Sequence, residues 1–348
     1  MWPIAKRLLL GACLMSLTSS ILLLSDLDRR TSRSAKASSG KGAVRSPLLP
    51  KKWSIHLLKY VETEDAIDAE NGFLQAIRDE GLEAGADYEL TQTTAHGDMA
   101  TLSLMVDAAV TAGADLLVTL STPTLQAALN RGRELPIVFT LVANPFVAGA
   151  GQSDREHLPN VTGVYTMGAY EEVIAALREC LPTAKVVGTL FVPAEVNTVF
   201  HKDMLTRAAA EVGLEVIAVP VTSPTEVADA AMALCSRKID AVCQVAGNLL
   251  SSSFVSISLA ARRAGLPIFA FLGGQAHHGA AVTVARDYGD AGKQAGRLAV
   301  RVMRGESPGS IPFEPTRSTR TIINLPAARD VGLYIPPSLL ERADEVLR

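Results

Sequence analysis

At 348 residues, with 48% hydrophobic content and a net charge of −3, the chain is long enough for two domains of the usual ~100–200 residues. No basic domain stands out, and phosphate binding needs clustered Lys and Arg, which argues against a nucleic-acid partner. Aromatic residues make up 5%, too few for a platform on which single strands stack.

Lys6 and Arg7 precede an apolar run over 8–24, broken by Ser16, Thr18, Ser19 and Ser20. As a helix this run would be ~26 Å long, close to the thickness of a bilayer's hydrocarbon core. A charged start and an apolar middle fit a secretory signal. No small-residue cleavage site follows Leu24, which leaves an uncleaved membrane anchor as the alternative for residues 1–25. Leu10-Gly11-Ala12-Cys13 also resembles a lipoprotein processing site, with Cys13 as the lipidated residue. Arg29, Arg30, Arg33 and Lys36 follow the run, and the positive-inside rule would hold the carboxyl side of such an anchor in the cytoplasm. Residues 26–50 are rich in Ser, Arg, Lys, Ala and Gly without an apolar period, and read as a flexible tether.

The first strand is expected over 53–60. A polar loop, Val61-Glu62-Thr63-Glu64, follows it, and Glu62 is a candidate ligand group there because open α/β folds catch ligands at the carboxyl ends of their strands. Ile67, Phe73, Leu74 and Ile77 give the next helix its apolar face, which stops near Gly81. A strand over 88–91 and a helix marked by Leu102, Met105, Val106 and Ala109 come next. The strand at 115–120 runs into Ser121-Thr122-Pro123-Thr124 and a helix over 125–130. Pro123 fits a first helical turn, and Ser121 or Thr122 fits the cap. The free N–H groups of such a turn suit a carboxylate, and a capped helix without a ligand is the alternative. The fourth strand, 136–140, ends at another polar loop around Asn144.

A fifth short strand over 160–165 marks a boundary, beyond which the plan repeats. A helix over 169–180 precedes the strand 186–192, whose polar end carries Glu195, Asn197 and Thr198 as groups facing a cleft; the alternative is that Asn197 or Thr198 caps the helix expected over 200–211. Strands at 214–219, 240–245 and 267–271 alternate with helices over 225–235 and 251–264. Such alternation implies parallel sheets with right-handed crossovers. Residues 272–279 read as a Gly-rich loop. Its neighbours His277 and His278 cannot point the same way on a helix, and no partner carboxylate is evident, so no metal site is expected. The loop has neither GxGxxG nor GxxxxGK[ST] context. A strand over 279–285, a helix from Asp287-Tyr288-Gly289 to Met303, a strand over 320–324 and a short helix from Pro337 complete the chain. Cys180, Cys235 and Cys243 lie in apolar patterns without CxxC spacing and read as buried thiols.

Several segments, in order, resemble the ABC-transporter substrate-binding family typified by tryptophan- and tyrosine-binding proteins: Ser121-Thr122-Pro123, 136–145 ending in Asn144-Pro145, Asn160-Val161-Thr162-Gly163, 181–185, Glu195-Val196-Asn197-Thr198, Gly279-Ala280-Ala281, Asp287-Tyr288, and the tail from Asn324-Leu325 to Asp344. The resemblance covers 53–348 and implies an α/β type I periplasmic-binding fold. Two Rossmann-like lobes would be joined by a hinge, with 51–166 and 286–315 in one lobe and 167–285 and 316–348 in the other. It further implies an exported protein that feeds an ABC importer through a permease subunit and is a monomer. The small solute, amino-acid-like and polar or aromatic, would be held between the lobes. It implies contacts from Ser121, Thr122, Asn144, Glu195, Asn197, Thr198, Gly247 and Asn248, with Glu195 accepting an ammonium and the Ser121-Thr122 turn donating to a carboxylate. The chain departs from the family pattern at Asn144, where Asp is common, and at Gly247-Asn248, where an Asp-Asn pair is common; fewer carboxylates put a standard amino acid in doubt. No cofactor is expected. Without a GxSxG elbow or a paired base and nucleophile, an enzyme is not expected either. The alternative function is a membrane-anchored module that signals ligand state to a partner.

Overall fold

The computed structural model describes Leu49, 51–316 and 318–348. The expected signal or anchor, its Cys13, and all of the tether except Leu49 lie outside these residues. Leu49 is buried in the core of the first lobe, so that lobe begins before the expected boundary at 51. No helix among the described residues is long and apolar enough to cross a membrane.

The chain runs β1 (Trp53–Lys59), α1 (Glu64–Asp79), β2 (Tyr88–Thr94), α2 (Met99–Thr111), β3 (Leu116–Leu120), α3 (Thr122–Arg131), β4 (Ile137–Val142) and β5 (Val161–Tyr165). It continues through α4 (Tyr170–Cys180), β6 (Val186–Phe191), α5 (Val196–Glu211), β7 (Glu215–Pro220), α6 (Val227–Cys235), β8 (Ala241–Gln244), α7 (Asn248–Ser252), α8 (Phe254–Arg263) and β9 (Ile268–Ala270). Then come α9 (Gly273–His277), β10 (Val282–Arg286), α10 (Tyr288–Met303), β11 (Glu314–Pro315), β12 (Thr319–Asn324), α11 (Leu325–Asp330), α12 (Pro337–Glu341) and β13 (Glu345–Leu347).

Two sheets result, ordered β11-β5-β4-β3-β1-β2 and β13-β12-β10-β9-β8-β6-β7. Every pairing is parallel except β10 with β12. The inner strands have helices on both faces, which is why they read as unbroken apolar runs; all five residues of β3, Leu-Leu-Val-Thr-Leu, are buried. Each sheet is flanked by a core on either side. Cys180, Cys235 and Cys243 are buried free thiols, and complete burial pushes Cys243 up to about 12.

The chain passes between the sheets three times, after β5, after β10 and after β11. The crossing segments are tied to one another. Thr316 N–H donates to the Tyr165 carbonyl at 2.9 Å and Asp287 N–H to that of Ser318 at 3.0 Å. The Arg286 side chain donates to the Met167 carbonyl at 2.8 Å.

Three local expectations are corrected. The helix expected from 200 starts at Val196, because the turn after β6 ends with Glu195 in extended conformation at the cap position. Residues 272–279 are not all loop: 273–277 form α9, since the Gln275 side chain accepts from the N–H groups of Phe271 and Leu272 and Asp65 accepts from those of Gly273 and Gly274. The helix ends at His277, so His277 and His278 do face one group together, the carboxylate of Glu64 on α1. That partner comes from the other lobe, 213 residues away in sequence.

Candidate functional site

A narrow cleft of about 50 Å³ lies between the strand ends of the two sheets. From the first lobe come Thr63 and Asp65 at the start of α1, Ser121 and Thr122 at the start of α3, and Leu141 and Ala143 at the end of β4. From the second come Asn197 and His201 on α5, Ala246 and Gly247 after β8, Asn248 and Ser251 on α7, and Leu272. Thr166 and Tyr288 line it at the crossings. No Lys or Arg is among the lining residues.

Each wall has a local cause. Ser121 caps α3, accepting from Thr124 N–H, and Pro123 occupies the first turn. The Ser121 backbone sits at φ 110°, ψ 158°, a region almost confined to glycine, and Leu141 sits at φ 58°, beside an irregularity in the β4–β5 register. Strain at two non-glycine residues costs roughly 1–3 kcal/mol each and gathers at ligand clamps; both residues line the cleft. Thr63 caps α1, accepting from Ala66 N–H at 3.2 Å, and so places Asp65 in the first turn.

Asp65 is the acid of the cleft. Burial pushes its carboxyl up to about 6, against the pull of the Gly273 and Gly274 N–H groups. These donors belong to the opposite lobe, so Asp65 also holds the lobes together. Ala246 and Leu272 of the second lobe likewise join the core of the first. Tyr288 is buried, and desolvation raises its phenol, with Asp65 nearby and Thr166 hydrogen-bonded to it.

The expected ligand residues fall into two groups. Ser121, Thr122, Asn197, Gly247 and Asn248 line the cleft. Glu62, Asn144, Glu195 and Thr198 do not. Glu62 lies 3.3 Å from Lys59 Nζ and faces a neighbouring outer crevice. Asn144 Oδ1 accepts from Phe146 N–H at 2.8 Å and Val147 N–H at 3.2 Å, bending its own loop. The Thr198 hydroxyl accepts from Val192 N–H at 2.9 Å and closes the turn after β6. Its methyl lies where a Cβ on Gly247 would sit, 2.5 Å away, which is why glycine stands there. Glu195 lines a neighbouring crevice that is also walled by both lobes, with Tyr60 and Pro123 opposite it. Its Oε2 accepts from the backbone N–H and side-chain amide of Asn248 at 3.0 and 2.9 Å, and its Oε1 from Leu249 N–H at 3.1 Å. It therefore orients Asn248, which lines the cleft. Asp65 and His201 had no signal in loop patterning because both lie inside helices.

At the cleft's edge the Glu64 carboxylate meets His277 Nδ1 at 3.0 Å and His278 Nε2 at 3.3 Å, and His277 Nε2 lies 3.6 Å from Glu345. Glu345 also pairs with Arg320 at 2.9 Å. The hydrogen bond to Glu64 raises His277 above its ordinary 6.5. This contribution to closure is thus full below pH 6.5 and lost as pH rises through the raised value. The rings are nearly half exposed, and such pairs contribute ~0–1 kcal/mol. Glu64→Gln is expected to weaken solute binding at pH 6 by at most about fivefold and to leave it unchanged at pH 9, as read by titration calorimetry.

A family model for "ABC transporter substrate binding protein" matches residues 54–347. A tyrosine-binding protein from Clostridioides difficile (strain R20291) is 31% identical over 274 residues, 79% of each chain. An ABC domain from Streptococcus pneumonia in complex with L-Trp superposes with a TM-score of 0.82 at 24% identity, covering 85% of this chain and all of that one. A ligand-free, open substrate-binding protein from Clostridium difficile gives 0.66 at 26% identity, covering 85% of this chain and 99% of that one. With its two-lobed α/β fold and its interlobe cleft, the chain belongs to the ABC transporter substrate-binding protein family.

Proposed function

We propose that this chain is the extracytoplasmic solute-binding component of an ABC importer, and that it delivers a small amino-acid-like solute, polar or aromatic, to a permease subunit. The observation that carries the reading is the pairing, in one cleft, of a buried carboxylate, Asp65, with no Lys or Arg among the described lining residues, and a strained, capped helix start at Ser121-Thr122. An ammonium supplies what Asp65 lacks. A carboxylate suits the N–H groups and dipole of α3, because no Lys or Arg lines the cleft to take it. The names of the relatives, tyrosine-binding and L-Trp-bound, accord with this chemistry. The lobes touch through Asp65 and Gly273-Gly274, and the lower likeness to the open relative fits lobes that are closed. Solute would favour this form by contacting both walls. Nothing in the described residues favours the sensing alternative.

A thermal-shift panel of amino acids and small organic acids tests the reading. A true ligand at a hundredfold excess over Kd stabilises by ~2.7 kcal/mol, several degrees in Tm. A panel that leaves Tm unmoved throughout would defeat the proposal.

A further inference from the structure

The first turns of α5 carry two side chains that the solute chemistry above does not use. Asn197 and His201 are four residues apart, so they share one helix face with Cβ atoms ~5–6 Å apart, and both line the cleft. We infer that Asn197 Oδ1 and His201 Nε2–H form a specificity-determining pair that takes a neutral, donating-and-accepting group of the solute, a hydroxyl or a primary carboxamide. This rests on the reading of the cleft as a solute site.

The acceptor half comes from Asn197, which is 7% exposed. Its amide nitrogen donates to Glu195 Oε2 at 3.4 Å, which fixes which way the amide faces. Its Oδ1 is buried with no hydrogen-bond partner among the described residues. A buried acceptor left unmet is costly and rare, and at a cleft wall the group that meets it is a donor on the bound solute.

The donor half comes from His201, which is 4% exposed. Its Nδ1 lies 2.6 Å from the Tyr170 phenol oxygen. That oxygen is also faced by the backbone N–H of Gly168; in the inferred pairing it accepts from Gly168 and gives its own proton to Nδ1. The remaining imidazole proton is then on Nε2. Burial pushes His201 down to about 4, so the ring donates without carrying charge. Beside these two groups an ammonium would face the Nε2–H and a carboxylate would face the Asn197 lone pairs. A neutral group that donates to Asn197 and accepts from His201 satisfies both.

Calorimetry on the full chain with matched pairs tests this: tyrosine against phenylalanine, and glutamine against methionine. In at least one pair the polar member should bind about tenfold tighter or more, as for a hydrogen-bonding site deprived of its partner. His201→Phe and Asn197→Leu should erase that preference while still binding the apolar member, and His201→Gln, which keeps an N–H donor, should retain part of it. Nitrogen NMR of the imidazole should show the proton on Nε2 at pH 7 and no titration down to pH 5. Equal affinity for both members of each pair in the wild type, an unchanged preference in His201→Phe, or a proton on Nδ1 would overturn the inference. A wild type that bound no member of either pair would instead overturn the solute-site reading, and the inference with it.

Discussion

Asp65→Asn is expected to weaken binding of an ammonium-bearing solute by about a hundredfold, since losing one partner of a buried charge pair costs roughly 2–5 kcal/mol. The carboxylate is buried and lines the cleft, and its lobe-bridging hydrogen bonds come from neutral N–H groups of Gly273 and Gly274. Those donors do not offset burial, which is why Asp65 is pushed up to about 6 from its ordinary 3.8. An ammonium within ~4–6 Å would pull that value down, so binding releases a proton at moderately acid pH. The sign follows from linkage. Affinity is fully present above pH 6 and falls as pH drops through 6 toward the lower value of the complex, by up to about tenfold per pH unit. The Asn side chain keeps an oxygen for the Gly273 or Gly274 N–H, so the variant should close while its affinity stays flat with pH. Calorimetry from pH 4.5 to 8 on both proteins checks this. A wild-type affinity independent of pH, or an equal slope in Asp65→Asn, would remove Asp65 from the ammonium role.

Asp65 also shows what the sequence made legible and what it hid. Strand ends were legible, because central strands of parallel sheets are unbroken apolar runs and their exits are polar. That rule points to Ser121, Thr122 and Asn197, and the family resemblance adds Gly247 and Asn248; all five line one cleft. Applied to the loop after β1, it selected Glu62, which sits by Lys59, three residues before the acid that lines the cleft. Asp65 lies inside α1, in the acidic first turn that any helix favours. Its burial comes from Gly273 and Gly274, more than two hundred residues away. His201 was hidden likewise, because the expected helix began too late to place it one turn below Asn197. Glu195, the most conspicuous charge in its turn, sits close enough to the cleft to order Asn248 and Asn197 but directs its oxygens to them. A loop carboxylate and its helix-capping role share one sequence pattern, and only the position of α7 separates them.

The seam between α1 and α10 should be the least tolerant place in the first lobe, and Gly292→Leu its most damaging substitution. A Cβ at Gly292 would overlap the Ala69 carbonyl oxygen, one at Gly72 would overlap that of Gly289, and one at Gly296 would lie 2.6 Å from the Phe73 oxygen. The two helices therefore meet backbone to backbone, and a leucine fits only if they separate. Separation would pull Phe73, Ile77, Ala291, Ala295 and Ala299 out of a shared core in which each is fully buried. Overpacking in a close-packed core costs ~1–3 kcal/mol when neighbours can move. Here the obstacle is backbone, so the expected loss is about 4 kcal/mol or more, in the range reserved for severe core strain. Gly213→Asn is the control: it has a left-handed backbone at φ 71° and nothing within 4 Å of a Cβ, and should stay within about 1 kcal/mol of wild type. Denaturant midpoints of the two variants decide the matter, and a wild-type midpoint for Gly292→Leu would refute the close seam. The consequence reaches the site as well. Asp65 stands in the first turn of α1 and Tyr288 opens α10, so the contact that holds these helices together also sets the spacing of two groups on the cleft wall. A smaller change, Gly292→Ala, should therefore weaken solute binding even where the lobe still folds.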